Sequence, residues 1–341
     1  MERKVISILC ISDTHLASPF PFGVPRDLPH IDVLIHSGDL TMLGTVPEYH
    51  EVLDMLATIP SDLKLEWLAR TTERLQHWES RNGVPKWKGR LGHEYWREAE
   101  AVWFGPESRA VKEGVTMLKE GRHEFRLSNG ALLKVFASPY QPEFCDWAFA
   151  YGRNEDRFNS PGYSLSDAVN IATSPADRIS GSESHGRAPV GDIDIMMTHG
   201  PPYGRLDLTS RGQKVGCPHI LASVAQIRPR VHCFGHIHEG WGVEHVRWSD
   251  ERIPTAIPSE NTTQSFTNAW DAVDGTQAIE RVVVEAERNI LAPGPVHVDL
   301  IDRPGRPTRS GASTTLVNAA IMDVSYMPIN LPILLWMDIG T

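Results

Sequence analysis

No stretch of this 341-residue sequence approaches the ~20 consecutive apolar residues that a membrane-spanning helix needs. The last apolar run, Leu331 to Trp336, is short and is punctuated by Pro328 and Pro332. The first, Val5 to Ile11, is too short for the apolar core of a secretory leader and reads better as a strand. Cysteine is scarce. Cys10, Cys145, Cys217 and Cys233 lie far apart, which excludes paired zinc-ligand or redox spacing and leaves reduced thiols in a cytoplasmic protein as the expectation. Basic charge is also in deficit, with 33 Lys and Arg against 43 Asp and Glu and a formal net charge of -10. Such a balance excludes broad electrostatic binding to nucleic acid or to an anionic membrane. It does not exclude a phosphate-bearing ligand, because bound divalent cations reverse the sign of a local field.

What is present is enough apolar residue, 41%, for one large core. Val5–Ser12 and Val33–Ser37 are short runs rich in β-branched residues and read as buried strands, joined by a Pro/Gly-rich loop. Thr45 then opens a helix toward Leu56, since Thr45 and Glu48 form a capping box and Pro47 suits the first turn. Leu65, Leu68, Leu75 and Trp78 fit a helical stripe, and a second helical pattern is expected over Trp96–Leu118. Ser128-Asn129-Gly130 is a hairpin turn between His123–Leu127 and Leu132–Ala137. Residues 171–190 read as an exposed loop. Ile193–Thr198 and Val231–Phe234 are further strands flanking a helix over Pro218–Ile227. Residues 250–312 read as a long insertion in a single domain spanning 1–341, with Leu316–Asn318 and Ile333–Asp338 as closing strands.

Four of these strands end in residues able to bind metal: Asp13-Thr14-His15, Gly38-Asp39, His199-Gly200 and Gly235-His236-Ile237-His238. In α/β architectures, loops at the carboxyl ends of strands converge on one rim. Alternate residues of an extended segment leave the same face, so Asp-x-His and His-x-His can each direct two donors at one centre. A carboxylate such as Asp39 offers two oxygens and can bridge two cations, while imidazoles supply neutral nitrogen donors. Two metals side by side stabilise both the attacking and the leaving oxygen of a phosphoryl displacement. Any one motif alone is weak evidence; the succession of four at strand ends carries the reading.

These blocks, together with His36-Ser37 before Gly38-Asp39 and Thr198 to Pro202, resemble the signatures of calcineurin-like metallophosphoesterases. The likeness extends to Ala137 to Pro142, to Val215-Gly216-Cys217, to Phe234 to Gly242 and to Val317 to Ala320, and is greatest to the branch of metallophosphoesterase-domain-containing proteins. It implies a four-layer α/β/β/α sandwich with two central mixed sheets and a dinuclear centre. Asp13, His15 and His238 would hold one metal, His199 and His236 the second, and Asp39 would bridge. The metals implied are manganese, iron or zinc. The reaction implied is hydrolysis of a phosphomonoester or phosphodiester, a small phosphate ester or nucleotide with cyclic nucleotides included.

One block of that family is absent. The pattern includes Gly-Asn-His after the third strand, and the chain contains no Asn-His pair. Where the block belongs, Glu66-Trp67-Leu68-Ala69-Arg70 reads as helix, and the nearest substitute is Gly92-His93-Glu94. The proton donor therefore has no assignment from sequence. A metal- or nucleotide-binding regulatory protein of the same fold stands as the alternative to an enzyme.

Overall fold

Strand runs with no polar alternation need burial on both faces, and the chain provides it with two sheets packed face to face and a helical layer outside each. The computed structural model describes residues 3–66, 90–144, 149–159, 169–170, 192–248, 276–283, 294–302 and 311–341, the side chains of 90–96, 170 and 276–283 excepted.

Thirteen strands build the two main sheets. They are β1 (Arg3–Ile11), β2 (Ile31–His36), β3 (Ser61–Glu66), β4 (Val115–Met117), β5 (Gly121–Arg126), β6 (Leu132–Ser138), β7 (Ile195–Thr198), β8 (Val231–Phe234), β9 (Gly242–Trp248), β10 (Thr276–Val283), β11 (Val296–Asp299), β12 (Ser313–Asn318) and β13 (Ile333–Gly340). The first sheet has the order β11-β13-β1-β2-β3-β4, and the second β10-β9-β12-β8-β7-β6-β5. Both are mixed. In the first, β1 to β4 run parallel and β13 lies antiparallel to β1. In the second, β6, β7, β8 and β12 run parallel, with antiparallel pairs at the two edges.

Period-two alternation in β1 divides its side chains between two cores. Ile6, Ile8 and Cys10 face the second sheet and meet Val135, Ile195 and Val231, whereas Leu9 and Ile11 face α1 (Val46–Ala57) and α2 (Arg90–Trp103). On the far side, α4 (Pro218–Ile227), which follows the short α3 (Arg109–Lys112), lays Ile220 and Val224 on Met196 and Phe234. The result is the α/β/β/α sandwich expected from sequence. At one end of it, Arg230 beside β8 is buried against Asp338 of β13, 3.1 Å away, and ties the second sheet to the first.

Capping at α1 follows the sequence: Glu48 N donates to Thr45 Oγ1, and Thr45 N donates to Glu48 Oε2 at 2.7 Å. Two helical expectations need correction. Leu65 and Glu66 close β3 in parallel register with β2 and β4 rather than opening a helix, and Trp67 to Arg70, Leu75 and Trp78 lie outside the described residues. The pattern from Trp96 breaks at Trp103, because Gly105 adopts φ +91 and Pro106 cannot continue a helix; Val115–Met117 then forms β4. Within 250–312, β10 and β11 add edge strands to the second and first sheets. The loop expected over 171–190 lies outside the described residues. Cys10, Cys217 and Cys233 are buried free thiols, and among the described residues no helix is long and apolar enough to cross a membrane.

Candidate metal centre

Parallel strands deliver their carboxyl ends to one rim, and here both sheets do so at the same place. Strands β1, β2, β7, β8 and β12 end immediately before Ser12, Ser37, His199, Gly235 and Ala319. Backbone bonds lock the turns that follow. Asp13 N donates to Gly38 O at 2.9 Å, His15 N to Asp39 O at 3.0 Å, and Gly235 N to His199 O at 2.9 Å. The two sheets are stitched together there by Ile321 N to Ser12 O at 3.0 Å.

The turns are strained. Asp13, His15, Asp39 and His236 have φ values of 51, 43, 54 and 69°, in the left-handed region that non-glycine residues enter at a cost of about 1–2 kcal/mol each. Such strain persists only where surrounding structure over-determines it, and it gathers at functional sites. Its effect here is to bring side chains from separate strands into one buried cluster. Asp13, His15 and His238 present ligand atoms within 4.8 Å of one another, and so do Asp13, Asp39 and His199. His236 belongs to neither group but stands beside His199, ring centroids 4.8 Å apart, while its N–H donates to Asp13 Oδ2 at 2.9 Å.

Protonation can be read from the partners. A carbonyl oxygen only accepts, so a ring nitrogen bonded to one must carry the hydrogen. His15 Nδ1 donates to Thr41 O (3.2 Å), His199 Nδ1 to Ser37 O (3.0 Å) and His238 Nδ1 to Asp323 O (2.9 Å). All three imidazoles therefore turn Nε2 toward the carboxylates: His15 to Asp39 Oδ2 (3.6 Å), His199 to Asp39 Oδ1 (3.7 Å) and His238 to Asp13 Oδ1 (3.4 Å). The two Asp39 separations exceed a hydrogen bond, and Asp13 Oδ1 is buried without a hydrogen-bond partner among the described residues. Backbone carbonyls that fix the tautomer, with the other nitrogen directed at a shared centre, are the supporting arrangement of metal-binding histidines. The donor set of nitrogen and carboxylate oxygen fits a divalent transition metal.

Electrostatics point the same way. Burial alone would raise the Asp13 carboxyl, but His238, His199 and His15 outweigh it and hold the acid far below its usual range. Burial would lower His238, yet Asp13 opposes it and pushes the imidazole up to about 9. Burial, aided by His199, takes His236 down to about 4 and keeps it neutral. A metal arriving at Asp13 and His238 must displace a proton, so affinity falls as the solution is acidified.

Three features lie outside the sequence motifs. Asp323 supplies the carbonyl that orients His238. Tyr326 places its ring against those of His15 and His238. Glu66 is buried beneath the rim with Oε2 3.0 Å from His36 Nδ1, and His36 Nε2 contacts Thr14 Oγ1 at 2.9 Å, between Asp13 and His15. The third strand thus ends in a carboxylate directed at His36. The side chain of His93, although its backbone is part of α2, and the whole of Asn82 lie outside the described residues. A separate trio, exposed His30 and Asp62 with half-buried Asp32, lies near the amino ends of β2 and β3, where Ser7 and Ser128 already occupy the carboxylates.

No family model matches the chain. Metallophosphoesterase domain-containing protein 1 of Homo sapiens is 30% identical to it over 241 residues, 69% of this chain and 61% of that protein. The chain is a relative of the metallophosphoesterases. The Mus musculus protein of the same name matches with the same identity and coverage. A protein of Emericella nidulans named probable rhamnogalacturonate lyase C is 28% identical over 72% of this chain but only 18% of its own length. The chain spans about three-fifths of the length of the two metallophosphoesterase-domain proteins. A buried Asp/His cluster at the strand ends is where this family relationship and the geometry meet.

Proposed function

We propose that the chain hydrolyses a phosphomonoester or phosphodiester at a dinuclear centre, with Asp13, His15 and His238 holding one divalent metal, His199 and His236 the second, and Asp39 shared. The observation that carries this reading is the set of three histidines whose Nδ1 atoms are tied to backbone carbonyls while Nε2 converges on Asp13 and Asp39. Two such metals, when bound, lower the pKa of coordinated water and neutralise the charge of a phosphoryl group. The chain's own part is positional. Asp39 offers one oxygen to each side, and Asp13 is fixed by the His236 N–H, so neither carboxylate must reorganise when a substrate arrives. Manganese, iron or zinc suits this donor set, a small phosphate ester or a nucleotide is the substrate class, and the setting is cytoplasmic.

Hydrolysis of p-nitrophenyl phosphate and bis(p-nitrophenyl) phosphate, abolished by EDTA and restored by manganese, is the expected result. Asp39→Ala and His238→Ala should each remove it. Undiminished turnover in either variant refutes the site.

A second reading is favoured by one observation: β3 ends in Glu66, whose carboxylate faces His36, and no Asn-His pair follows it. On that reading the protein binds metal and nucleotide with little turnover. Losing a general acid lowers a rate by about 10²–10⁴-fold. Calorimetric binding of AMP or cyclic AMP without hydrolysis in excess manganese would favour this alternative.

A further inference from the structure

Among the described residues, Tyr326 is an aromatic side chain that meets the candidate centre from outside its ligand set. Its ring lies edge-on to His15 (centroids 5.0 Å) and to His238 (5.5 Å), two imidazoles that are themselves 5.8 Å apart. An aromatic that only packed would be covered by its neighbours; Tyr326 leaves 45% of its surface open. The backbone holds it there at φ 59°, a costly conformation for a bulky residue. Asp323 enforces it: its Oδ1 accepts from Ser325 N (2.8 Å) and Met327 N (2.9 Å), and its backbone pairs with Tyr326 N and Met327 O. Since the carbonyl of Asp323 also orients His238, one residue sets the ring and the imidazole relative to each other.

Apolar residues flank Tyr326 in the chain. Val324 and Met327, in the same turn, are more than half exposed. Met42 and Leu43, also exposed, follow Thr41, the residue that holds His15. Two exposed apolar pairs thus lie in the segments that fix His15 and His238, a chemistry suited to binding apolar groups. A phosphate group gains nothing from them, so they serve the organic part of an ester.

We infer that Tyr326, flanked by Val324 and Met327, is the specificity-determining platform for a flat, apolar group attached to the phosphate, so that aryl-type phosphate esters are preferred over small alkyl ones. This rests on the phosphoesterase reading of the site.

The test uses the full chain loaded with zinc and two inert phosphate analogues, phenylphosphonate and methylphosphonate, titrated by calorimetry, with metal content measured on every variant. An aromatic contact of this kind makes phenylphosphonate bind roughly two- to tenfold more tightly than methylphosphonate. Tyr326→Phe should keep that ratio. Tyr326→Ala should bring it near one while methylphosphonate affinity and metal content hold, and Val324→Ser should reduce it in part. A ratio retained in Tyr326→Ala overturns the inference. So does a joint loss of both ligands and of metal, which would mean that Tyr326 merely supports His15 and His238. Equal binding of the two analogues by the unaltered protein overturns the inference alone, and binding of neither overturns the phosphoesterase reading with it.

Discussion

Replacing Gly235 by alanine tests how closely the two sheets approach at the rim. A methyl on Gly235 would fall inside van der Waals contact of Asp13 Oδ2 and Ser12 Oγ and lie 2.7 Å from Ser12 Cβ. Asp13 and Ser12 are fully buried, and Asp13 Oδ2 is the atom that accepts the His236 N–H, so no neighbour can swing into solvent. Overpacking of this kind costs about 1–3 kcal/mol in stability. The larger effect is on the site, because relief requires Asp13 to move by about 1 Å. Perturbing even the outer partners of a metal ligand lowers affinity about 10–100-fold, and displacing a ligand itself should cost at least as much. Gly200 provides the control: it follows His199, but a methyl there meets nothing within 4 Å among the described residues. The assay is metal content by mass spectrometry after dialysis against a graded chelator, paired with urea unfolding. Gly235→Ala should lose metal at a far lower chelator concentration than the parent, and Gly200→Ala should track it. Equal retention by Gly235→Ala would refute both the packing and the placement of Asp13 among the ligands.

Two further outcomes concern the scaffold. His232 is fully buried, and Thr198 Oγ1 gives its hydrogen to Gly200 O, so His232 Nε2 donates to it and Nδ1 faces no partner among the described residues; burial drops the imidazole to about 3. A histidine kept neutral in the fold but titrating near 6.5 when unfolded leaves the unfolded chain with more protons between those values, so stability falls as pH drops through 6.5 toward 3. The loss from this residue between pH 7 and pH 5 is about 2 kcal/mol, and urea unfolding of His232→Gln should lack that part of the slope; parallel pH profiles would contradict the assignment. Thr45→Ala removes the side-chain half of the α1 capping box and should cost about 1 kcal/mol by urea unfolding, with metal content unaffected.

The candidate metal-binding motifs were legible because each sits directly after a run of buried residues. Asp13, Asp39, His199 and His236 follow strand ends by one to three residues, and a parallel sheet turns that spacing into a shared rim. Thr45 and Pro218 marked helix starts for local reasons of capping and fixed φ, and the helices begin there. Long-range partners were not legible. Asp323 and Tyr326 reach His238 and His15 from a turn far along the chain, and nothing in Asp323 to Met327 states which histidines it will meet. Glu66 was misread because Leu65 fits a helical stripe as well as a strand, and only pairing with β2 and β4 decides between them. Edge strands β10 and β11 carry few signals of their own and are defined by the strands they join.

The hydrogen bond from His236 N to Asp13 spans 223 positions of sequence. During synthesis the first carboxylate and histidine leave the ribosome long before the Gly235 to His238 segment exists. Until that segment arrives, Asp13 lacks the backbone donor of His236 and the imidazoles of His199 and His238. Closing so distant a contact is slow because loop entropy must be lost before the contact forms. A cluster drawn from such distant segments should assemble late, and metal capture there should report that the two sheets have already met.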